Sequence, residues 1–168
     1  MKPFEETHPH LEEFKKFLDA SNQESERGLA LICGAMIDDL LERSILAFLI
    51  EHEETKRLLR GFNAPLGTLA ARALAAFALG VLSEPEYREC ERLRKIRNIF
   101  AHNVHASFAD QNVKDLCANL EFSAKDYGDV VVGARGQYAT SATWLILTLT
   151  NRPHYTAQRR LKYGIWKY

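Results

Sequence analysis

Leu29, Ile32, Cys33, Met36, Ile37, Leu40, Leu41, Ile45 and Leu49 recur every three to four residues. Over twenty residues that spacing describes one helix whose apolar face is too broad for a surface position, so the helix lies at the centre of whatever the chain builds. Ser21 or Asn22 is placed to cap it, and it is expected to run to about His52. The same stretch carries Asp38, Asp39 and Glu42, with Asp38 and Glu42 on one face. A carboxylate in a packed face needs a cation, because an unpaired buried charge costs several kcal/mol. Arg27 and Arg97 are the partners expected for one of the three acids.

Around this centre the chain reads as a series of further helices. Leu11, Phe14, Phe17 and Leu18 alternate with Glu12, Glu13, Lys15 and Lys16 as a short amphipathic helix ending near residues 20–22. Gly61-Phe62-Asn63-Ala64-Pro65 breaks the periodicity, with Asn63 inside the break, and the next helix runs to Gly80, which suits a left-handed stop. Ser83-Glu84-Pro85-Glu86 is a helix start, with serine and glutamate placed for reciprocal capping and proline where no amide partner is needed. That helix carries Cys90, Leu93, Ile96 and Phe100 inward. Ser107 or Asp110 caps a helix built on Val113, Leu116, Cys117 and Leu120. Residues 123–136 read as a long connection, because a strand at Val130 to Val132 would have no partner. A last helix covers Tyr138 to Leu149. The expectation is an all-α, single-domain bundle of about six helices spanning residues 1–168, with a core over about 8–150. Residues 151–168 then form a tail in which Arg152, Arg159, Arg160, Lys162 and Lys167 alternate with aromatic residues and no acid appears.

Composition narrows the function. The 22 basic residues cancel the 22 acidic ones, so the molecule lacks the positive field that grips duplex DNA, which argues against direct, sequence-specific DNA binding. Three widely spaced cysteines in apolar helical settings fit buried, reduced thiols and a cytoplasmic location. The start of the chain has neither the basic residues nor the apolar run of a secretory signal. The apolar region from Leu66 to Leu82 is interrupted by Arg72 and two glycines and is too short for a bilayer, so no membrane is expected. His8-Pro9-His10 and His102-Asn103-Val104-His105 have spacings that suit a metal but come without completing ligands. No phosphate-cradling glycine loop and no Gly-x-Ser-x-Gly elbow occurs. Neither metal nor cofactor is expected.

One element carries chemistry of its own: Arg97-Asn98-Ile99-Phe100-Ala101-His102 at a helix end. A permanent guanidinium and an imidazole that titrates near neutrality are what metal-free phosphodiester cleavage requires, with Arg97 stabilising charge on phosphate, Asn98 orienting it and His102 moving a proton. Positions five apart diverge by roughly 140° on a helix, so the two heads converge only if the helix frays at His102 or a second subunit contributes. In the alternative, Arg97 pairs with a core carboxylate and His102 interacts with the helix dipole.

Ser25-Glu26-Arg27-Gly28-Leu29-Ala30-Leu31, Asp38-Asp39-Leu40-Leu41-Glu42, Gly61-Phe62-Asn63-Ala64-Pro65-Leu66-Gly67-Thr68 and Arg94-Lys95-Ile96-Arg97-Asn98-Ile99-Phe100-Ala101-His102, in this order, resemble the bacterial mannitol operon repressor family. The resemblance covers roughly Leu11 to Leu120. It implies an all-helical cytosolic protein in transcriptional control of sugar-alcohol uptake that acts through a protein or RNA partner, without a DNA-reading helix-turn-helix. Arg97-Asn98-x-x-x-His102 also resembles the signature of HEPN-type helical ribonucleases, which implies a HEPN-like bundle. Two readings follow: a non-enzymatic regulator, with Arg27, Asp38, Asp39, Glu42, Asn63, Arg97 and His102 as structural or partner-contacting residues, and a metal-independent ribonuclease or inactive RNA-binding relative using Arg97, Asn98 and His102. The breadth of the central helix and the divergence of Arg97 and His102 lead to the expectation of a homodimer.

Overall fold

A computed structural model describes residues 11–167, which form eight helices and no strand. The first histidine pair, at residues 8 and 10, and the start of the chain lie outside the described residues. In chain order the helices are α1 (Glu12–Asn22), α2 (Glu26–Phe48), α3 (Glu53–Leu59), α4 (Leu69–Ala78), α5 (Glu84–His102), α6 (Gln111–Ala118), α7 (Ala134–Thr150) and α8 (Arg152–Ala157). The all-α expectation holds. The two helices beyond the expected six are α3 and α8, of seven and six residues, each too short to show a recurring apolar stripe.

The central helix is α2, which packs against α1, α3, α4, α5, α7 and α8. Its cap is Ser25, whose hydroxyl accepts from the Gly28 amide at 3.0 Å, and not Ser21 or Asn22. Ser21 instead turns back onto the Leu18 carbonyl at the end of α1. Leu49 is extended, so α2 stops before His52, whose imidazole caps α3 by accepting from the Glu54 amide. Gly80 sits at φ +69°, and the amides of Val81 and Leu82 both fold back onto the Ala76 carbonyl at 2.7 and 3.0 Å. Both side chains are buried there, the arrangement in which a left-handed residue ends a helix. The connection from α6 to α7 contains only a tight turn, in which Tyr127 and Val130 exchange backbone hydrogen bonds around Gly128.

Leu40, Leu41, Ile45, Leu93, Ile96, Phe100, Leu145 and Ile146 form the middle of one apolar core. Phe108 bridges Phe100 and Tyr138, with ring centroids 4.7 and 5.5 Å apart. Cys33, Cys90 and Cys117 are free and buried. Burial pushes all three thiols up to about 12, so they pack as small apolar groups and are not nucleophiles at neutral pH.

Three ionised groups inside the bundle hold its elements in register. Arg72, the one charged residue of α4, points inward: its guanidinium reaches Asp38 and Glu42 of α2, each at 2.7 Å, and donates to the Leu59 and Leu66 carbonyls. Glu86 accepts from the Ser83 amide and hydroxyl and is clasped by Arg152, which also donates to the Val81 carbonyl. Glu89 is wholly buried on α5 and accepts from the Ser141 hydroxyl at 2.5 Å, from Arg92 at 2.8 Å and from the amides of Glu121 and Phe122. Arg152 and Arg160 of the basic C-terminal stretch are therefore structural residues: Arg160 donates to the Ala47 carbonyl while the Leu161 amide binds Phe48, closing the C-terminus of α2. With α8 packed on α2 and Thr156 buried against the Ser44 carbonyl, the packed bundle extends beyond residue 150.

Replacing Arg72 with methionine leaves Asp38 without a cation and Glu42 with Arg60 alone, and urea unfolding should show a loss of about 3 kcal/mol, the scale for breaking a buried pair from one side. At Glu89 burial opposes ionisation, but the hydrogen bonds of Ser141, Arg92 and the two amides outweigh it and hold the carboxyl below its ordinary 4.5. Its stabilisation is thus complete above about pH 4.5 and is lost as the pH falls through the lowered folded value. Unfolding measured from pH 7 down to pH 3 should show a shallower acid limb in Glu89→Gln than in the native chain.

Candidate interaction site

The residues of the Arg97-to-His102 element lie on the C-terminal half of α5, where it runs beside the N-terminal half of α2. Gly34 of α2 is buried, and a Cβ there would stand 2.9 Å from the Cγ of Arg97. The missing side chain opens a slot through which the Arg97 stem crosses α2. The guanidinium, half-buried, donates to the Asn98 side-chain oxygen at 3.1 Å, and its buried Nε has no hydrogen-bond partner among the described residues. No carboxylate of the described residues lies within ion-pair distance of it.

The expected pairing of Asp38, Asp39 or Glu42 with Arg97 or Arg27 is therefore corrected. Asp38 and Glu42 are taken by Arg72, Glu42 also by Arg60, and Asp39 by Arg43 at the surface. The reason is reach. Asp38 and Glu42 lie along the side of α2 covered by α4 and the turn before it, and Arg72 arrives there from the first turn of α4. Arg27 serves the end of another helix instead. From the first turn of α2 it donates to the Ala101 carbonyl at 3.3 Å, placing a cation on the negative end of the α5 dipole.

His102 is exposed and closes α5, which remains helical through it, with Asn103 as the C-cap. The fraying that would turn His102 toward Arg97 does not occur, so within one copy the guanidinium and the imidazole leave α5 in directions roughly 140° apart. Asn98 contacts Arg97 and thereby orients it. Asn63 is remote in role: it is exposed, at φ +58° in the turn between α3 and α4, a conformation asparagine tolerates better than most residues.

Two residues, Gly34 and Phe62, carry little signal in the sequence. Gly34 was silent inside a helical run, although a glycine there costs about 1 kcal/mol against alanine and so signals a close approach. Phe62 is 98% exposed, on a turn that the Arg72 contacts with Leu59 and Leu66 hold at both ends. Its signal was an aromatic residue among turn formers.

No protein-family model matches the chain, and no curated protein matches it in sequence. A solved structure does: the X-ray structure of the MtlR-HPr complex from Escherichia coli, at a TM-score of 0.60 and 22% identity, covering 85% of this chain and 97% of that chain. The two chains share a fold. Nearly the whole length of the MtlR-HPr chain is matched, so the likeness extends over the bundle and is not confined to one helix pair.

What the site offers chemically is a guanidinium held in a slot with no counter-ion among the described residues, able to receive a phosphate or carboxylate from another molecule. The slot makes a prediction of opposite signs. Gly34→Ala should lower the melting temperature of the native chain, because the methyl meets the Arg97 stem, yet raise it in an Arg97→Ala background, where only the helix preference of alanine remains.

Proposed function

We propose that this protein is a non-enzymatic regulator of the mannitol operon repressor kind, working in the cytoplasm by binding a protein partner, with HPr as that partner. The observation that carries the reading is the fold likeness to a structure that is itself an MtlR-HPr complex. The sequence elements resembling the mannitol operon repressor family point the same way, and they lie on α2, on the turn before α4 and on α5, the first and last of which hold Arg97. Balanced charge favours a protein surface over duplex DNA as the target. No helix of the described residues is long and apolar enough to cross a membrane. Arg97 is equipped to anchor a partner, since arginine is among the residues that carry most binding energy at interfaces, and Phe62, 98% exposed, is a second candidate.

Isothermal titration of the purified chain with Escherichia coli HPr tests this directly. Binding with a dissociation constant of about 10 μM or tighter supports the proposal, and absence of heat and of complex at about 1 mM contradicts it. That Arg97 has no counter-ion among the described residues favours a second reading, a metal-independent ribonuclease or RNA-binding relative with Arg97, Asn98 and His102 as its site. Single-stranded RNA incubated with the protein in chelator should remain intact. Cleavage that disappears in both Arg97→Ala and His102→Ala would replace the regulator reading with the enzymatic one.

A further inference from the structure

Where the C-terminus of α2 meets α8 and the turn from α4 to α5, the bundle leaves a cavity of about 570 Å³, a size usual for small-molecule sites. Leu79 and Val81, on either side of the left-handed Gly80, line it from the turn. Phe48, the last residue of α2, and Tyr155 of α8 supply the rest of its apolar lining. Val81 is buried, and Phe48 and Leu79 are half-buried. Phe48 follows Gly34 by 14 positions on α2, about 20 Å along the helix axis, so the cavity is separate from the Arg97 slot.

Most polar groups of the lining are already committed. Arg152 is clasped by Glu86 and donates to the Val81 carbonyl. The Thr156 hydroxyl donates to the Ser44 carbonyl at 3.0 Å, and the Gln158 amide nitrogen meets the His154 ring at 3.0 Å. Arg159 is different: it is exposed, and among the described residues its guanidinium has neither a hydrogen bond nor a carboxylate within ion-pair distance. No acidic residue lines the cavity. A permanent, unspent positive charge therefore stands at the edge of an acid-free space with apolar walls.

We propose that this cavity binds a small organic anion, with a carboxylate or phosphate on Arg159 and an apolar, ring-sized body among Phe48, Leu79, Val81 and Tyr155. The planar fork of arginine matches either head group through paired hydrogen bonds. A bare inorganic ion would leave the apolar walls facing water, whereas an apolar body removes that surface from it. A molecule rich in hydroxyl groups is disfavoured, because Arg152, Thr156 and Gln158 already have partners and could not replace the hydrogen bonds such a ligand gives up to enter. The site shares no residue with the Arg97 slot, so this proposal and the binding of HPr can fail independently.

Isothermal titration of the full chain at neutral pH and low salt, with benzoate, phenyl phosphate, inorganic phosphate and benzyl alcohol in turn, tests this. Benzoate or phenyl phosphate should bind one to one with a dissociation constant below about 1 mM, and the tighter of the two identifies the head group. Inorganic phosphate and benzyl alcohol, which offer the charge and the ring separately, should each bind at least about tenfold more weakly. Arg159→Gln should weaken binding at least about tenfold with helical circular dichroism unchanged, while Arg97→Ala should bind as the native chain does. The proposal is overturned if neither ring-bearing anion binds at about 10 mM, or if inorganic phosphate or benzyl alcohol binds as tightly. Binding that survives Arg159→Gln, or that disappears in Arg97→Ala, overturns it as well.

Discussion

Carboxylates inside a helical bundle must find cations, and the way this chain meets that requirement organises the rest of it. Arg72 enters the interior from α4 and takes two acids of α2 together with two loop carbonyls. One side chain thereby fixes the spacing of α2 and α4 and the path of the turn that precedes α4. Glu86 with Arg152, and Glu89 with Arg92 and Ser141, do the same for α5 against α8 and α7. Helix ends follow a related rule: α2 and α5, the two longest helices, end on arginines borrowed from elsewhere, Arg160 and Arg27.

Those assignments decide what remains for function. Because Asp38, Asp39 and Glu42 pair with Arg72, Arg43 and Arg60, Arg97 lies in the Gly34 slot with only the Asn98 side-chain oxygen as hydrogen-bond partner among the described residues. A guanidinium so placed is held in position yet electrostatically unfinished, which is what a residue that meets an incoming anion requires.

Much of the architecture was legible in the residues. The α2 stripe, the Ser83 to Glu86 start and the Gly80 stop each reflect interactions between neighbours a few positions apart, which periodicity and capping rules describe. Helices α3 and α8 were not legible, because seven and six residues are stabilised by packing and not by pattern. The ion partners were not legible either. Asp38 and Arg72 are 34 positions apart, and nothing local to either residue says which of 22 cations the fold will bring to it. For the same reason the site was half readable: Arg97 stood out by type and place, while Gly34, which gives it its slot, and the absence of an acid beside it are properties of the assembled bundle.

Asp38 belongs to Arg72, and Arg97 has no carboxylate partner among the described residues. Double-mutant cycles by urea unfolding, crossing Asp38→Asn with Arg72→Met and separately with Arg97→Met, measure this most directly. The account predicts a coupling of about 1 to 3 kcal/mol between Asp38 and Arg72 and additivity within about 0.5 kcal/mol between Asp38 and Arg97. An Asp38–Arg97 coupling as large as the first would contradict it.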